Sequence, residues 1–178
     1  MTHPSASADS IQRRITLLRH AEALPDLQHD DHARALSPHG LEVATRQAQW
    51  LQPPQAQPDL VLCSTATRTR QTLDALAFAA VPTILSPSLY LASASEMLAL
   101  LQQLDDAVQH VLLVGHNPGM HGLAALLARD YTSDAAADAL AQGFPTAGLV
   151  SLRVTLAQWS ALTPHSAEVL AVQFPHGV

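Results

Sequence analysis

The chain has 178 residues, of which 48% are hydrophobic and 13% charged, so its composition is that of a globular domain and excludes a disordered, charge-rich chain. All nine positive residues are arginines, and 15 acidic residues bring the formal net charge to −6. Because such a chain lacks the basic stripe that binds a phosphate backbone, we do not expect nucleic acid as a partner. The single cysteine, Cys63, excludes an internal disulfide and a thiolate-rich zinc site.

The first residues of the chain have the composition of a disordered tail. Residues 1–13 lack both the basic start and the continuous apolar region of a signal peptide, so we predict a disordered tail followed by one domain over 14–178. No run approaches the roughly 18 apolar residues that cross a bilayer, so no membrane partner is expected. We therefore predict a cytoplasmic protein, and the sequence leaves its oligomeric state open.

The first half of the chain alternates between short apolar runs and segments with the apolar period of a helix. In chain order, these predict a buried strand over 15–18, a helix opened by Ser37-Pro38 with apolar positions 41, 44, 48 and 51, a strand over 60–63, a helix from about Thr67 and an extended run over 83–85. Serine caps the free N–H groups of a helix and proline fits its first turn, so Ser37-Pro38 is a favourable start.

The second half continues this alternation. Ser93 and Glu96 have the three-residue spacing of a capping box. The polar, alanine-rich segment 129–143 fits either a loop with a short helix or a small insertion. In chain order, the remaining predictions are a helix after Ser93, a buried strand over 111–114, a helix capped by Asn117-Pro118 and two closing strands over 148–154 and 169–174.

Strands that alternate with helices in a short chain predict a three-layer α/β/α domain with a mainly parallel sheet and one antiparallel edge strand near the C-terminus. Ligands bind such sheets beyond the carboxyl ends of the strands. The polar residues at these ends are Arg19, His20, Ser64, Arg68, His116 and Asn117. Arginines offer planar forks for phosphate oxygens, and histidines act as nucleophiles or proton carriers near neutral pH, so this set indicates phosphate chemistry.

Three of these segments resemble the motifs of the histidine phosphatase superfamily, in the family's order. Residues 17–22 (LLRHAE) resemble its Arg-His-Gly signature with alanine in place of glycine, residues 64–72 (STATRTRQT) resemble its second arginine segment, and residues 114–118 (VGHNP) resemble its second histidine motif. Residues 34–40, 89–101 and 144–146 also resemble the SixA-type branch, which consists of phosphohistidine phosphatases without a large cap domain. The resemblance implies a phosphoglycerate-mutase-like fold.

The resemblance also implies roles for individual residues. His20 attacks phosphorus and is transiently phosphorylated, Arg19 and Arg68 bind the equatorial oxygens, and His116 supports the transferring group. Further candidates for substrate binding are Arg34, Ser64 and Asn117. Preorganised positive groups stabilise the charge of the phosphoryl transition state, so neither a cofactor nor a metal is expected.

Glu22 is the candidate for an acid that protonates the leaving group, whereas Glu96 is already explained by its capping box. A protonated imidazole leaves more readily than an alkoxide and depends less on an acid from the enzyme. The lack of a clear acid in the sequence therefore favours a protein phosphorylated on histidine as the substrate. Two alternatives stay open. One is a phosphomonoesterase for a small sugar or nucleotide phosphate, and the other is a phosphate-binding regulatory module without turnover.

Several residues also have simpler explanations. Arg19 and Arg68 could pair with the acidic residues between positions 26 and 31 instead of binding phosphate. The spacing of His29-x-x-His32 is compatible with a weak metal site, but a polar loop is favoured. The remaining expectations are a core position for Cys63, a packing or capping role for His121 and a surface position for Arg70.

Overall fold

The computed structural model describes residues 10–25, 30–78 and 80–175, which fold around one seven-stranded sheet. The strands are β1 (Ile11–Arg19), β2 (Leu60–Ser64), β3 (Thr83–Ser86), β4 (His110–Gly115), β5 (Ala128–Tyr131), β6 (Leu149–Leu156) and β7 (Ala167–Gln173). The α-helices of the described residues are α1 (Pro38–Gln47), α2 (Thr67–Ala75), α3 (Ala94–Leu101), α4 (Gly119–Leu127) and α5 (Asp134–Gln142). None of these helices has the length and apolar character needed to cross a membrane.

Two helices begin at the predicted caps. Ser37 Oγ accepts a hydrogen bond from the backbone N–H of Gly40 at the start of α1, and proline occupies the first turn. Ser93 and Glu96 form the capping box at the start of α3. Each side chain satisfies N–H groups that have no partner within the helix, which is why these short sequence signals set the helix starts.

The sheet has helices on both faces. Its strand order is β3-β2-β4-β1-β6-β7-β5, and β3, β2, β4 and β1 are parallel to one another. On β1, Ile15 and Leu17 belong to a core that includes Met97 of α3. Leu18 belongs to a second core with Leu76, which follows α2. Because alternate residues of a strand point to opposite faces, these cores lie on opposite sides of the sheet, and the predicted three-layer α/β/α fold is confirmed.

The antiparallel strand lies inside the sheet and not at its edge. β6 is antiparallel to both β1 and β7, while β5 pairs with β7 and forms the edge beyond it. The segment 129–143, for which the sequence left two possibilities, contains most of β5 and all of α5. β5 therefore forms the edge of the sheet at which the sequence predicts one of the two closing strands.

β1 begins at Ile11, four residues before the predicted start at Ile15. Residues 11–13 of the predicted tail thus belong to the sheet, and residues 1–9 lie outside the described part of the chain. Arg13 is buried because its guanidinium donates to three backbone carbonyls, those of Asp106, Val108 and Ala157. Three hydrogen bonds to carbonyls compensate for most of the burial of this guanidinium, although its Nε has no partner among the described protein atoms, so the arginine interrupts the apolar pattern without interrupting the strand.

The pairing of β1, β2 and β4 brings three strand ends to one edge of the sheet. Arg19 pairs in register with Gly115, and Cys63 pairs with Val114. The residues that follow β1, β2 and β4 therefore meet at the carboxyl edge, where ligands of parallel sheets bind.

Candidate active site

His20 is held directly after β1 with one ring nitrogen turned toward the site. Its backbone N–H donates to the Gly115 carbonyl at 3.1 Å, and its Nδ1 lies 2.7 Å from the Ala21 carbonyl oxygen. Because a carbonyl oxygen only accepts, Nδ1 carries the proton and Nε2 keeps its lone pair. Burial, together with the positive charges of Arg68 and Arg19, lowers the pKa of His20 to about 4. The imidazole is therefore neutral at pH 7, as a nucleophile must be.

Arg68, in the first turn of α2, lies between the two histidines. Its side chain is 3% exposed. Its Nε donates to His20 Nε2 at 3.2 Å, and its Nη2 lies 3.3 Å from His116 Nδ1. Nε and Nη2 form one edge of the guanidinium, so this edge presents two parallel N–H groups to the space between the histidines.

His116 follows β4 and faces His20 across the site. The two ring centroids are 5.2 Å apart. His116 Nε2 lies 2.8 Å from the Oγ of Ser64, which is buried at the end of β2. Burial lowers the pKa of His116 to about 3, so this ring is also neutral at pH 7. Because the Arg68 guanidinium only donates, Nδ1 of the neutral ring accepts from Nη2, and Nε2 carries the proton and donates to Ser64 Oγ.

Arg19 and Asn117 donate hydrogen bonds to the same backbone carbonyl. Arg19 Nη1 and Asn117 Nδ2 donate to the Phe144 carbonyl at 2.9 and 2.8 Å. Arg19 Nε is buried and has no hydrogen-bond partner among the described protein atoms. A buried donor of this kind costs free energy unless a ligand completes it, and an anion beside His20 would do so.

These contacts bring one guanidinium and two imidazoles together. The inner edge of Arg68 faces His20 Nε2 and His116 Nδ1, the two rings are 5.2 Å apart, and the positive charge of Arg19 also acts on His20. Neutral imidazoles and fixed arginines are suited to receive and stabilise a transferring phosphoryl group.

Comparison with known proteins identifies the family. Residues 15–90 match the model of the histidine phosphatase superfamily, branch 1. A SixA protein from Nakamurella multipartitia, described as a candidate phosphohistidine phosphatase, has a solved structure that is similar with a TM-score of 0.80 and 32% identity. The similarity covers 93% of this chain and 98% of that one. The chain belongs to the histidine phosphatase superfamily.

Other members resemble this histidine phosphatase over most of their length. The structure of a candidate SixA phosphohistidine phosphatase from Agrobacterium tumefaciens has a TM-score of 0.73 and 31% identity, covering 92% of this chain and 99% of that one. An uncharacterized protein from Mycobacterium tuberculosis is 37% identical over 160 residues, which are 89% of this chain and 99% of the relative. The resemblance found in the sequence, including the SixA-type branch, is confirmed.

Glu22, the candidate acid, contacts the residue that caps α1. Its side chain is exposed, and its Oε1 accepts a hydrogen bond from Ser37 Oγ at 2.5 Å. α1 packs closely on this segment, since a Cβ at Gly40 would lie 2.1 Å from the backbone oxygen of Glu22. The carboxylate thus contacts the first residues of α1, and the role of Glu22 as the acid stays a prediction.

The other predicted residues have distinct surroundings. Asn117-Pro118 begins α4 as predicted, since Pro118 occupies the cap position and Asn117 Oδ1 accepts a hydrogen bond from the backbone N–H of His121 in the first turn. The ring of His121 contacts the Leu140 carbonyl at 2.8 Å, which fits a packing role. Cys63 is buried, and burial raises the pKa of its thiol to about 12. Arg70 is exposed, as predicted.

Sequence reasoning missed a second layer of this site, formed by Asp31, Tyr90 and His32. Tyr90 donates to Asp31 Oδ2 at 2.6 Å, and its ring meets His116 edge-on at a centroid distance of 5.4 Å. Asp31 also pairs with both Arg68 and Arg34 at 2.8 and 2.9 Å. The alternative in which Arg68 pairs with an acidic residue between positions 26 and 31 is thus correct, but this pairing leaves the inner edge of Arg68 facing the histidines.

The weak metal-site hypothesis concerns His29 and His32. His29 lies outside the described residues, and His32 Nε2 lies 2.9 Å from Thr65 Oγ1. Within 10–25, 30–78 and 80–175, no group of three or more His, Cys, Asp or Glu side chains is arranged to hold a metal ion.

Proposed function

We propose that this histidine phosphatase removes the phosphoryl group from phosphohistidine in a protein, through a phosphorylated His20. The observation that carries the proposal is the environment of His20 Nε2, which holds a lone pair beside the inner edge of Arg68 while Nδ1 is tied to a carbonyl. The pattern is that of a preorganised nucleophile.

The first step exchanges one imidazole for another. The lone pair of His20 Nε2 forms a bond to phosphorus, the phosphorus–nitrogen bond of the substrate breaks, and its electron pair stays on the substrate nitrogen. When the substrate ring carries a proton on its other nitrogen, it leaves as neutral imidazole and needs no acid from the enzyme. The positive charge passes to the ring of His20, where the Ala21 carbonyl accepts the hydrogen bond of the Nδ1 proton.

The second step restores the enzyme. Water attacks phosphorus, the bond to His20 Nε2 breaks, and the electron pair returns to the nitrogen. Dihydrogen phosphate leaves with both protons of the water, so atoms and charge balance. Throughout, Arg68 and Arg19 offset the negative charge on the phosphoryl oxygens.

Two features favour a protein substrate. The carboxylate of Asp31 is ionised, because the Tyr90 hydroxyl and the two arginines hold its pKa well below the usual range, so it is not an acid for an alkoxide leaving group at neutral pH. A cleft of about 800 Å³ extends from Arg19 and Asn117 along α5, which gives room for polypeptide on the Arg19 side of the site.

The test compares initial rates of phosphate release from a histidine-phosphorylated protein, sugar phosphates and nucleotide monophosphates. We expect the phosphorylated protein to be preferred and its turnover to be lost in His20→Ala. His39→Ala is the matched control, because His39 is exposed on α1. Preference for a sugar or nucleotide phosphate would instead identify a small-molecule phosphomonoesterase. Phosphate binding without release from any substrate would identify a regulatory module. The cytoplasmic location stays a prediction.

A further inference from the structure

The guanidinium of Arg68 has two edges with different partners. Its inner edge, Nε and Nη2, faces His20 Nε2 and His116 Nδ1 at 3.2 and 3.3 Å. Its outer edge, Nη1 and Nη2, donates to the backbone carbonyl and to the Oδ2 of Asp31, the latter at 2.8 Å. One residue thus holds the outer edge at two points, while, among the described residues, the inner edge contacts only the two histidines.

Asp31 is itself fixed by two further groups. Its Oδ1 accepts from Arg34 Nη1 at 2.9 Å, and its Oδ2 accepts from the Tyr90 hydroxyl at 2.6 Å. The Tyr90 ring lies below the Arg68 guanidinium, with Cζ 5.9 Å from the ring centroid. The Asp31 side chain is 41% exposed, so these contacts, rather than burial, determine its orientation.

We propose that Asp31 is a positioning residue, which holds the outer edge of Arg68 so that the inner edge meets the equatorial oxygens of the phosphoryl group. Asp31 does not touch the reacting atoms and acts through Arg68. A carboxylate and a carbonyl that receive both ends of the planar fork fix its plane, so the orientation exists before substrate binds. The proposal rests on phosphoryl transfer at His20, but it holds for any phosphorylated substrate.

This role makes a prediction opposite to that of simple electrostatics. Removing a negative charge near an anion site should tighten anion binding if charge alone matters. Removing the charge should also tighten anion binding if the Asp31 carboxylate occupies the position of the phosphoryl group and must be displaced. If Asp31 positions Arg68, its removal weakens binding despite the gain in positive charge.

The test measures orthovanadate and inorganic phosphate affinity by calorimetry for the full chain and for Asp31→Asn. Asp30→Asn is the matched control, because Asp30 loses the same charge but its side chain caps the short helix over 31–33 through the Ala33 N–H, which asparagine can also do. We expect the vanadate Kd to rise about tenfold in Asp31→Asn, since vanadate resembles the transition state. In Asp30→Asn the Kd should stay constant or fall.

A second measurement separates positioning from general destabilisation. In Asp31→Asn, vanadate affinity should fall more than phosphate affinity, whereas a loss of folded protein would lower the apparent kcat and the calorimetric stoichiometry and leave KM and both Kd values unchanged. Tighter or unchanged vanadate binding in Asp31→Asn would overturn the proposal. If Asp31→Asn does not fold, Tyr90→Phe removes only the hydrogen bond to Oδ2 and should weaken vanadate binding in the same direction, and an unchanged affinity there would also overturn it.

These measurements distinguish failure of this proposal from failure of the proposed function. Oxyanion binding requires no turnover and no phosphohistidine. If the protein prefers a small phosphate ester, the vanadate comparison keeps its meaning. If His20 is not phosphorylated but Asp31→Asn still weakens vanadate binding, the positioning role stands without the proposed reaction.

Discussion

Replacing Arg68 by lysine keeps the positive charge of this side chain and removes its planar fork. The guanidinium uses Nε toward His20, Nη2 toward His116, and Nη1 and Nη2 toward Asp31. A lysine has a single nitrogen and cannot reproduce both edges. The substitution therefore separates the contribution of geometry from that of charge.

The size of the effect follows from the two N–H groups on the inner edge of Arg68. A hydrogen bond to a charged group contributes about 1.5–3 kcal/mol. If the ammonium replaces one of these bonds and the other is lost, kcat/KM should fall about 10- to 150-fold. A loss of both bonds would give a larger decrease.

The assay is single-turnover phosphate release from a histidine-phosphorylated protein, with urea unfolding to verify that each variant is folded. Arg70→Lys is the control, because Arg70 is exposed on the same helix and undergoes the same change. Its rate should equal that of the unmodified protein. An Arg68→Lys rate equal to that of the control would refute the role of the fork, because charge alone would then be sufficient.

Two further predictions concern acid sensitivity and Glu22. Burial lowers the pKa values of His20 and His110 to about 4 and that of His116 to about 3, from an ordinary 6.5. As the pH falls, these three histidines are protonated in the unfolded chain before they are protonated in the folded chain. The free energy of unfolding should therefore keep its full value above pH 6.5 and decrease toward pH 4, by at most about 4 kcal/mol per pH unit. Urea unfolding at several pH values measures this decrease, and a flat profile contradicts the three buried neutral rings. Glu22→Gln should leave kcat/KM unchanged in steady-state assays, since the carboxylate contacts Ser37; a large loss would identify Glu22 as the acid.

The parts of the fold that the sequence predicts well depend on local patterns. Buried strands such as β4 are continuous apolar runs, and the caps at Ser37 and Ser93 act within one helical turn. β5 escaped prediction because only Ala128 of its residues is buried, so it has no alternating pattern. Leu41 was expected in the apolar face of α1 but is 51% exposed, while Val43 is buried in its place.

The inner part of the site was predictable because His20, Arg68 and His116 follow predicted strands, and strand ends meet at one edge of a parallel sheet. The outer part depends on contacts between distant segments. Asp31 meets Arg68 across 37 positions and Tyr90 across 59 positions of the chain. Asp31 follows no strand, and a short helical turn over 87–89 separates Tyr90 from β3, so no local pattern predicts that these two residues meet Arg68.

The proposed reaction requires that His20 becomes phosphorylated during turnover. The enzyme would be mixed with a protein phosphorylated on histidine with a radioactive phosphoryl group, quenched at millisecond intervals in alkali, and analysed by peptide mass spectrometry. We expect an acid-labile phosphoryl group on His20 that appears before inorganic phosphate and is absent in His20→Ala. Phosphate release without any label on His20, or with undiminished rate in His20→Ala, would contradict it.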